Sequence, residues 1–230
     1  LANQEFKLEE EIDKSQSEFI SNTSVRLSKD VASISALAPS IVKESHGDTF
    51  ENGLKSLKKA VSKLAYLDKL TSSAISTPNI PVSLKTLADE VFVTYRPIAL
   101  KSQINLKVDI DQKVQASVDP QGFKYILISV LDNAVKFTKP GGDIKVTIKD
   151  HNKKYALLRV QDTGAGIPKN KVESLFAPFS RGTDTLKFDY EGLGLDLYMD
   201  KLIAEQAGGN IALSSIEGAY TTVTVKLPKK

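Results

Sequence analysis

The chain has 230 residues, 41% of them hydrophobic and 26% charged, enough for one large or two small soluble domains with a real core. A formal charge of +3, scattered along the chain, argues against a nucleic-acid partner, and the absence of Cys excludes a disulfide frame, a thiolate metal site and a cysteine nucleophile while fitting a reducing compartment. No apolar run approaches the ~20 residues that span a bilayer, and the chain opens at Leu1 rather than Met, so it reads as a fragment whose membrane contacts, if any, lie in segments outside it.

The first seventy-odd residues predict two helices. Ile20, Leu27, Val31, Ile34, Ala38 and Ile41 recur at spacings of three, four and seven, which is one helix face. Turn chemistry at Ser45-His46-Gly47-Asp48 interrupts them, and Leu54, Leu57, Val61, Leu64 and Leu67 then form a second stripe. Two such helices bury little alone, so the hairpin is expected to pair with a second copy into a four-helix bundle. The acidic run Glu9-Glu10-Glu11 reads as a solvated face.

Residues 71–83 (TSSAISTPNIPVS) are rich in Ser, Thr and Pro without helical period, which predicts a linker. The expected domains are a hairpin over 1–75, a linker over 76–83 and a mixed domain over 84–230. In the last, a helix over Leu84–Lys101 precedes strands at Leu106–Ile110 and Val114–Val118. Asp119-Pro120 then starts a helix with a capping carboxylate and a proline at the first helical position, and Lys139-Pro140-Gly141-Gly142 stops it. Ile144, Val146 and Ile148 alternate, as do Ala156, Leu158 and Val160, around a turn at Asn152-Lys153-Lys154. A last helix over Gly194–Ala207 and two strands, at Ile211–Ser215 and around Val223, Val225 and Leu227, complete the chain. The fold class expected is an antiparallel helical hairpin followed by a two-layer α/β sandwich with helices over one mixed sheet.

Three clusters carry chemistry. The first is Val130-Leu131-Asp132-Asn133-Ala134-Val135-Lys136-Phe137, where Asn133 offers a neutral amide oxygen suited to Mg²⁺ and Lys136 a positive charge almost one turn on. The same residues also suit an ordinary amphipathic helix with a surface Asn and Lys. The second, Asp162-Thr163-Gly164-Ala165-Gly166-Ile167, follows a strand. A carboxylate there can accept from an adenine amino group, and the glycines let backbone approach a planar base. The bland reading is a strand-to-helix turn. The third, Gly192-Leu193-Gly194-Leu195, opens the last helix, where backbone amides suit phosphate; its bland reading is a flexible turn. No Walker-type loop occurs, so any nucleotide needs a different cradle.

In this order the clusters resemble the Asn-rich box and two Gly boxes of the ATP-binding domain shared by sensor histidine kinases, gyrase, the Hsp90 chaperones and MutL. Leu175-Phe176-Ala177-Pro178-Phe179 resembles the phenylalanine box of the histidine kinases. The resemblance covers about residues 80–230 and implies a Bergerat-type fold with ATP and Mg²⁺ as ligands. It would have Asn133 hold Mg²⁺, Lys136 touch phosphate and Phe137 pack near the base. Asp162 would read adenine in a pocket shaped by Gly164, Gly166 and Ile167. Arg181 would reach the terminal phosphate, and Gly192, Leu193 and Gly194 would line the triphosphate beneath a lid over Gly182–Glu191. Two positions depart from the family pattern. Ser129 stands where another Asn, or the Glu of hydrolysing members, is usual, and a hydroxyl cannot replace a carboxylate base. Tyr190 stands where a further glycine is expected.

The hairpin resembles the family's dimerisation and phosphotransfer domain, but its chemical positions differ. Val25 replaces the phospho-accepting His, Arg26 the adjacent acid and Lys29 the polar residue of the phosphatase reaction, while Phe19, Leu27 and Val31 keep the framework. At ~100° per residue Val25 lies about 160° from Leu27 and so points away from the core stripe, where an acceptor belongs. Val has no nucleophile and Arg26 cannot act as a base. The expectation is a cytoplasmic, ATP-binding module that has lost self-phosphorylation. It would be a homodimer, or a heterodimer with an active kinase, with a response regulator as a further partner. The competing expectation is an enzyme whose acceptor is a histidine of a partner chain or a nearby hydroxyl such as Ser24 or Ser28. His46 and His151 read as a turn residue and a solvated β-turn residue.

Overall fold

The computed structural model describes residues 47–71, 78–180 and 193–229, with side chains of the first segment from residue 53 onward. The chain divides into two compact units, Leu1–Ser76 and Thr77–Lys230. In the first unit the described element is helix α1, Gly47–Thr71. Gly47 and Asp48, expected in a turn, already belong to it. Of its predicted stripe Val61 and Leu67 are buried, Leu54 and Leu64 half-buried, and Leu57 exposed. The first stripe, with Phe19, Val25, Arg26, Lys29 and His46, lies outside the described residues.

The second unit has a five-stranded sheet in the order β2-β4-β5-β7-β6, formed by Asn105–Ile110 (β2), Asp143–Asp150 (β4), Tyr155–Asp162 (β5), Asn210–Ile216 (β6) and Tyr220–Pro228 (β7). Only the β2–β4 pairing is parallel. A separate ribbon pairs Ile80–Ser83 (β1) with Gln115–Val118 (β3), antiparallel. The linker expected over 76–83 therefore ends earlier, because its last four residues are a strand. Pro81 is tolerated there because a two-stranded ribbon is all edge.

Sequence alternation puts one face of the sheet inside. Ile148, Leu158 and Val225 are mutually in register, as are Val146, Val160 and Val223, and all are buried. The intervening Lys145, Thr147, Arg159 and Thr224 face away from this core. Helices α2 (Leu84–Lys101), α3 (Pro120–Phe137) and α4 (Asp196–Gln206) supply its other half. Helix α2 contributes Phe92, α3 contributes Phe123, Ile126, Leu127 and Leu131, and α4 contributes Met199, all 2% exposed or less. Each such side chain gains roughly 1.5–3 kcal/mol from leaving water, so this row fixes α3, and whatever α3 carries, over the sheet.

Local chemistry sets the start of α3 where the sequence predicted it. Asp119 accepts from the backbone N–H groups of Gln121 and Gly122 at 3.3 and 3.1 Å, with Pro120 at the first helical position. Ser83 caps α2 by accepting from the Thr86 N–H.

Candidate functional site

The second cluster sits at the end of β5. Asp162 continues the inward row Ala156, Leu158, Val160, so its carboxylate lies on the helix side of the sheet and is 7% exposed. Burial pushes its carboxyl up to about 6, against the opposing pull of backbone N–H donors from Gly164, Thr221 and its own residue. Its Oδ1 accepts from the Gly164 N–H at 2.9 Å. Beyond it the loop is stapled on three sides. The Thr163 N–H donates to the Asp143 carbonyl, the Ala165 N–H to the Phe137 carbonyl at the end of α3, and the Ile167 N–H to Ser215 Oγ on β6.

The two loop glycines are sterically required. A Cβ on Gly164 would lie 2.6 Å from the Phe137 carbonyl oxygen. Gly166 has φ +64, and a Cβ there would lie 2.0 Å from the Ile216 carbonyl oxygen. The hexapeptide is thus a packed junction between α3, β4 and β6 rather than a free turn.

The first cluster occupies the last turns of α3. Asn133, Lys136 and Phe137 are half-buried, and Lys136 Nζ lies 5.4 Å from the Phe137 ring centroid. Neighbouring Asp132 faces α2, where its carboxylate accepts from the Tyr95 hydroxyl. Burial first, then that bond and the Asp132 charge, push the Tyr95 phenol far above its ordinary range. Tyr125, Ser129 and Asn133 follow one another at four-residue spacing, which is one helix face. Ser129 is buried and donates to Asp200 Oδ2 on α4 at 2.7 Å, and Tyr125 Oη lies 3.4 Å from Asp196 Oδ1 and 3.3 Å from Met199 Sδ.

Of the third cluster, Leu193, Gly194 and Leu195 are described and precede α4, which begins at Asp196 rather than at Gly194. Gly194 has φ +66, outside the helical region, and a Cβ on it would lie 2.5 Å from the Ser180 carbonyl oxygen. The phenylalanine segment thereby abuts the glycine cluster. Its Leu175 is buried in a 3₁₀ turn, while Phe179 is 57% exposed with φ 63. Arg181, Gly192, Tyr190 and the expected lid lie outside the described residues.

The sequence reading missed the carboxylates Asp196 and Asp200. Their four-residue spacing on the last helix was the available signal. The Asp143–Thr163 and Ser215–Ile167 staples had none, because each joins residues distant in sequence. His151 lies in the β4–β5 turn, where its backbone N–H donates to the Tyr155 carbonyl. Among the described residues no cluster of three or more His, Cys, Asp or Glu could hold a metal ion. No helix among the described residues is long and apolar enough to cross a membrane.

Residues 118–230 match the family described as Histidine kinase-, DNA gyrase B-, and HSP90-like ATPase. Sensor protein GacS of Pseudomonas syringae pv. syringae is 31% identical over 188 residues, 79% of this chain and 21% of GacS. Sensor protein SrrB of Staphylococcus aureus is 28% identical over 231 residues, 96% of this chain and 39% of SrrB. The chain therefore spans less than half the length of these relatives. Among solved structures, the mycobacterial sensor histidine kinase MprB aligns with TM-score 0.57 at 25% identity, over 65% of this chain and 97% of that one. Full-length ShkA in complex with AMPPNP aligns with TM-score 0.72 at 19% identity, over 92% of this chain and 45% of that one, a likeness of fold. Residues 118–230, which hold four of the five sheet strands with helices α3 and α4, are thus similar to the histidine kinase-, DNA gyrase B- and HSP90-like ATPase family, and most of the chain is similar to part of larger sensor proteins.

Proposed function

We propose that residues 84–230 bind ATP with Mg²⁺ and that the chain works as the cytoplasmic core of a two-component, sensor-kinase-like protein. In this reading its hairpin, residues 1–75, dimerises but does not accept phosphate. The observation that carries the nucleotide assignment is Asp162, a buried carboxylate at a strand end beside a glycine that only a missing Cβ lets pass under the Phe137 carbonyl. A carboxylate held this way is a fixed acceptor for the exocyclic amine of adenine, and the Gly164–Gly166 backbone is the close-approach wall of its pocket.

The remaining residues take the roles that the family resemblance implies. Asn133 holds the cation through its amide oxygen, and Lys136 supplies positive charge to phosphate, with Phe137 stacked beside it near the base. Leu193 and Gly194 line the phosphate chain together with Gly192, and Arg181 reaches its end. Mg²⁺, when bound, neutralises phosphate charge; the protein's own part is to bind and orient. Ser129 gives no base for water, since a hydroxyl is a far weaker base than the carboxylate of hydrolysing members. That supports retention of nucleotide over gyrase-like hydrolysis.

Loss of self-phosphorylation rests on Val25 and Arg26 standing at the acceptor and its neighbouring acid. The readout of such a module is the ordering of a dimer by nucleotide, with a response regulator or an active partner kinase downstream. Incubation with γ-labelled ATP and Mg²⁺ tests this, and no stable protein label is expected. Acid-labile label on His46 would overturn the pseudokinase reading, and acid-stable label would move the acceptor to Ser or Thr.

A further inference from the structure

The side of the sheet that turns away from the helices gathers charge that the linear sequence disperses. Three of its cations lie on one diagonal. Lys145 on β4 is in register with Gln161 on β5, and Arg159 stands two residues along from Gln161. Arg159 in turn faces Thr224 on β7, two residues from Lys226. Each step is one strand across and two residues along, about 8 Å. Lys145 and Arg159 are exposed and Lys226 is half-buried. Lys153 and Lys154, both exposed, extend the group in the β4–β5 turn, at the Lys226 end of the sheet.

The carboxylates on this side are matched by other lysines. Asp109 pairs with Lys149 at 2.8 Å and Asp143 with Lys107 at 2.7 Å, both between β2 and β4, and Asp150 pairs with Lys229. Asp111, just past β2, acts on Lys149 as well. The acids thus serve the β2 edge and the strand ends. Among the described residues no ion pair joins Lys145, Lys153, Lys154, Arg159 or Lys226 to a carboxylate. Five uncompensated cations on one side give it a positive potential.

We propose that this side of the sheet docks on an anionic lipid bilayer, held by charge without insertion. Its diagonal is set among Thr147, Gln161, Thr222 and Thr224, which suit a polar, hydrated contact. The cores of protein interfaces are depleted of Lys and anchored by aromatic side chains, and single-stranded nucleic acid needs aromatic platforms; the diagonal offers neither. A flat array of separated cations instead matches a plane of headgroups. Each Lys or Arg near such a surface contributes about fivefold in binding, so the diagonal alone amounts to about a hundredfold. Attachment by charge of this size is reversible. Asp162 lies on the helix side of the sheet, so the docking surface stands apart from the nucleotide site.

The test is co-sedimentation of the full chain with vesicles of phosphatidylcholine alone and of equal parts phosphatidylcholine and phosphatidylserine. The wild type should prefer the phosphatidylserine vesicles by about a hundredfold at low salt and lose that preference near 0.5 M salt, at about which exposed charges are screened. The triple variant Lys145→Gln, Arg159→Gln, Lys226→Gln should lose about a hundredfold. A control, Lys85→Gln, Lys101→Gln, Lys201→Gln, removes equal formal charge from α2 and α4 and should bind nearly as the wild type does. Equal losses in the two triple variants would overturn the proposal, since net charge alone would then account for binding. So would equal binding to both vesicles, or none to either. Mixed-sequence duplex DNA bound more tightly than phosphatidylserine vesicles at the same salt would overturn it in favour of nucleic acid. Should the first triple variant not fold, Lys145→Gln and Arg159→Gln alone should each cost about fivefold, and no loss in either refutes the docking surface.

Discussion

Asp162→Asn isolates the energetic cost of the buried carboxylate. Its Oδ1 contact to the Gly164 N–H is one that an Asn oxygen also makes, so the substitution removes charge while keeping the shape of the loop. The Asp162 carboxyl is pushed up from its ordinary value to about 6, above its unfolded value. The folded protein therefore holds this proton more tightly than the unfolded chain does. The resulting contribution to stability is fully present below about pH 4 and is lost as pH rises through about 6. At about 1.4 kcal/mol per pKa unit the loss amounts to about 3 kcal/mol. Asp162→Asn should gain on the wild type by up to that amount between about pH 4 and pH 7. Urea unfolding followed by far-ultraviolet circular dichroism at several pH values measures it, and suits a chain without Trp. Parallel pH profiles for the two proteins would refute the reasoning, because they would mean that Asp162 ionises as easily folded as unfolded.

Three further outcomes follow from the same packing. Ser129→Ala should destabilise the protein by about 1–3 kcal/mol in urea unfolding, since it strips a donor from a fully buried carboxylate at Asp200. Gly166→Ala should lower the melting temperature by about 5 °C or more, because its Cβ would collide with the Ile216 carbonyl in a left-handed backbone. Asn133→Ala should cut the gain in ATP affinity produced by Mg²⁺ by about tenfold, leaving adenosine affinity unchanged, when titrations with Mg²⁺ and with chelator are compared.

Much of the second unit was legible because its signals are local. Asp119-Pro120 is a cap and a first helical residue in adjacent positions, and α3 begins there. The alternation Ile144, Val146, Ile148 needs no partner to be read, and the sheet buries those three side chains. What escaped depends on contacts between distant residues. The strand Ile80–Ser83 is only four residues long and carries a proline, and it becomes a strand by pairing with Gln115–Val118. The start of α4 was misplaced by two residues because Gly194 takes a left-handed φ imposed by its fit against Ser180.

The candidate site divides the same way. Asp162 and its glycines stand out as a motif, and the structure brings them against the end of α3. Ser129 drew notice only as a residue unable to act as a base. Its bond to Asp200, 71 positions later, exists because α3 and α4 pack together, and no local pattern encodes that.

The claim on which the functional account rests is that the Asp162 carboxylate recognises adenine. Titration of adenosine into the wild-type chain and into Asp162→Ala near neutral pH tests it directly. The account predicts saturable binding in the wild type and none in the variant, whereas equal affinity in both, or no binding of any adenine ligand to the wild type, would contradict it.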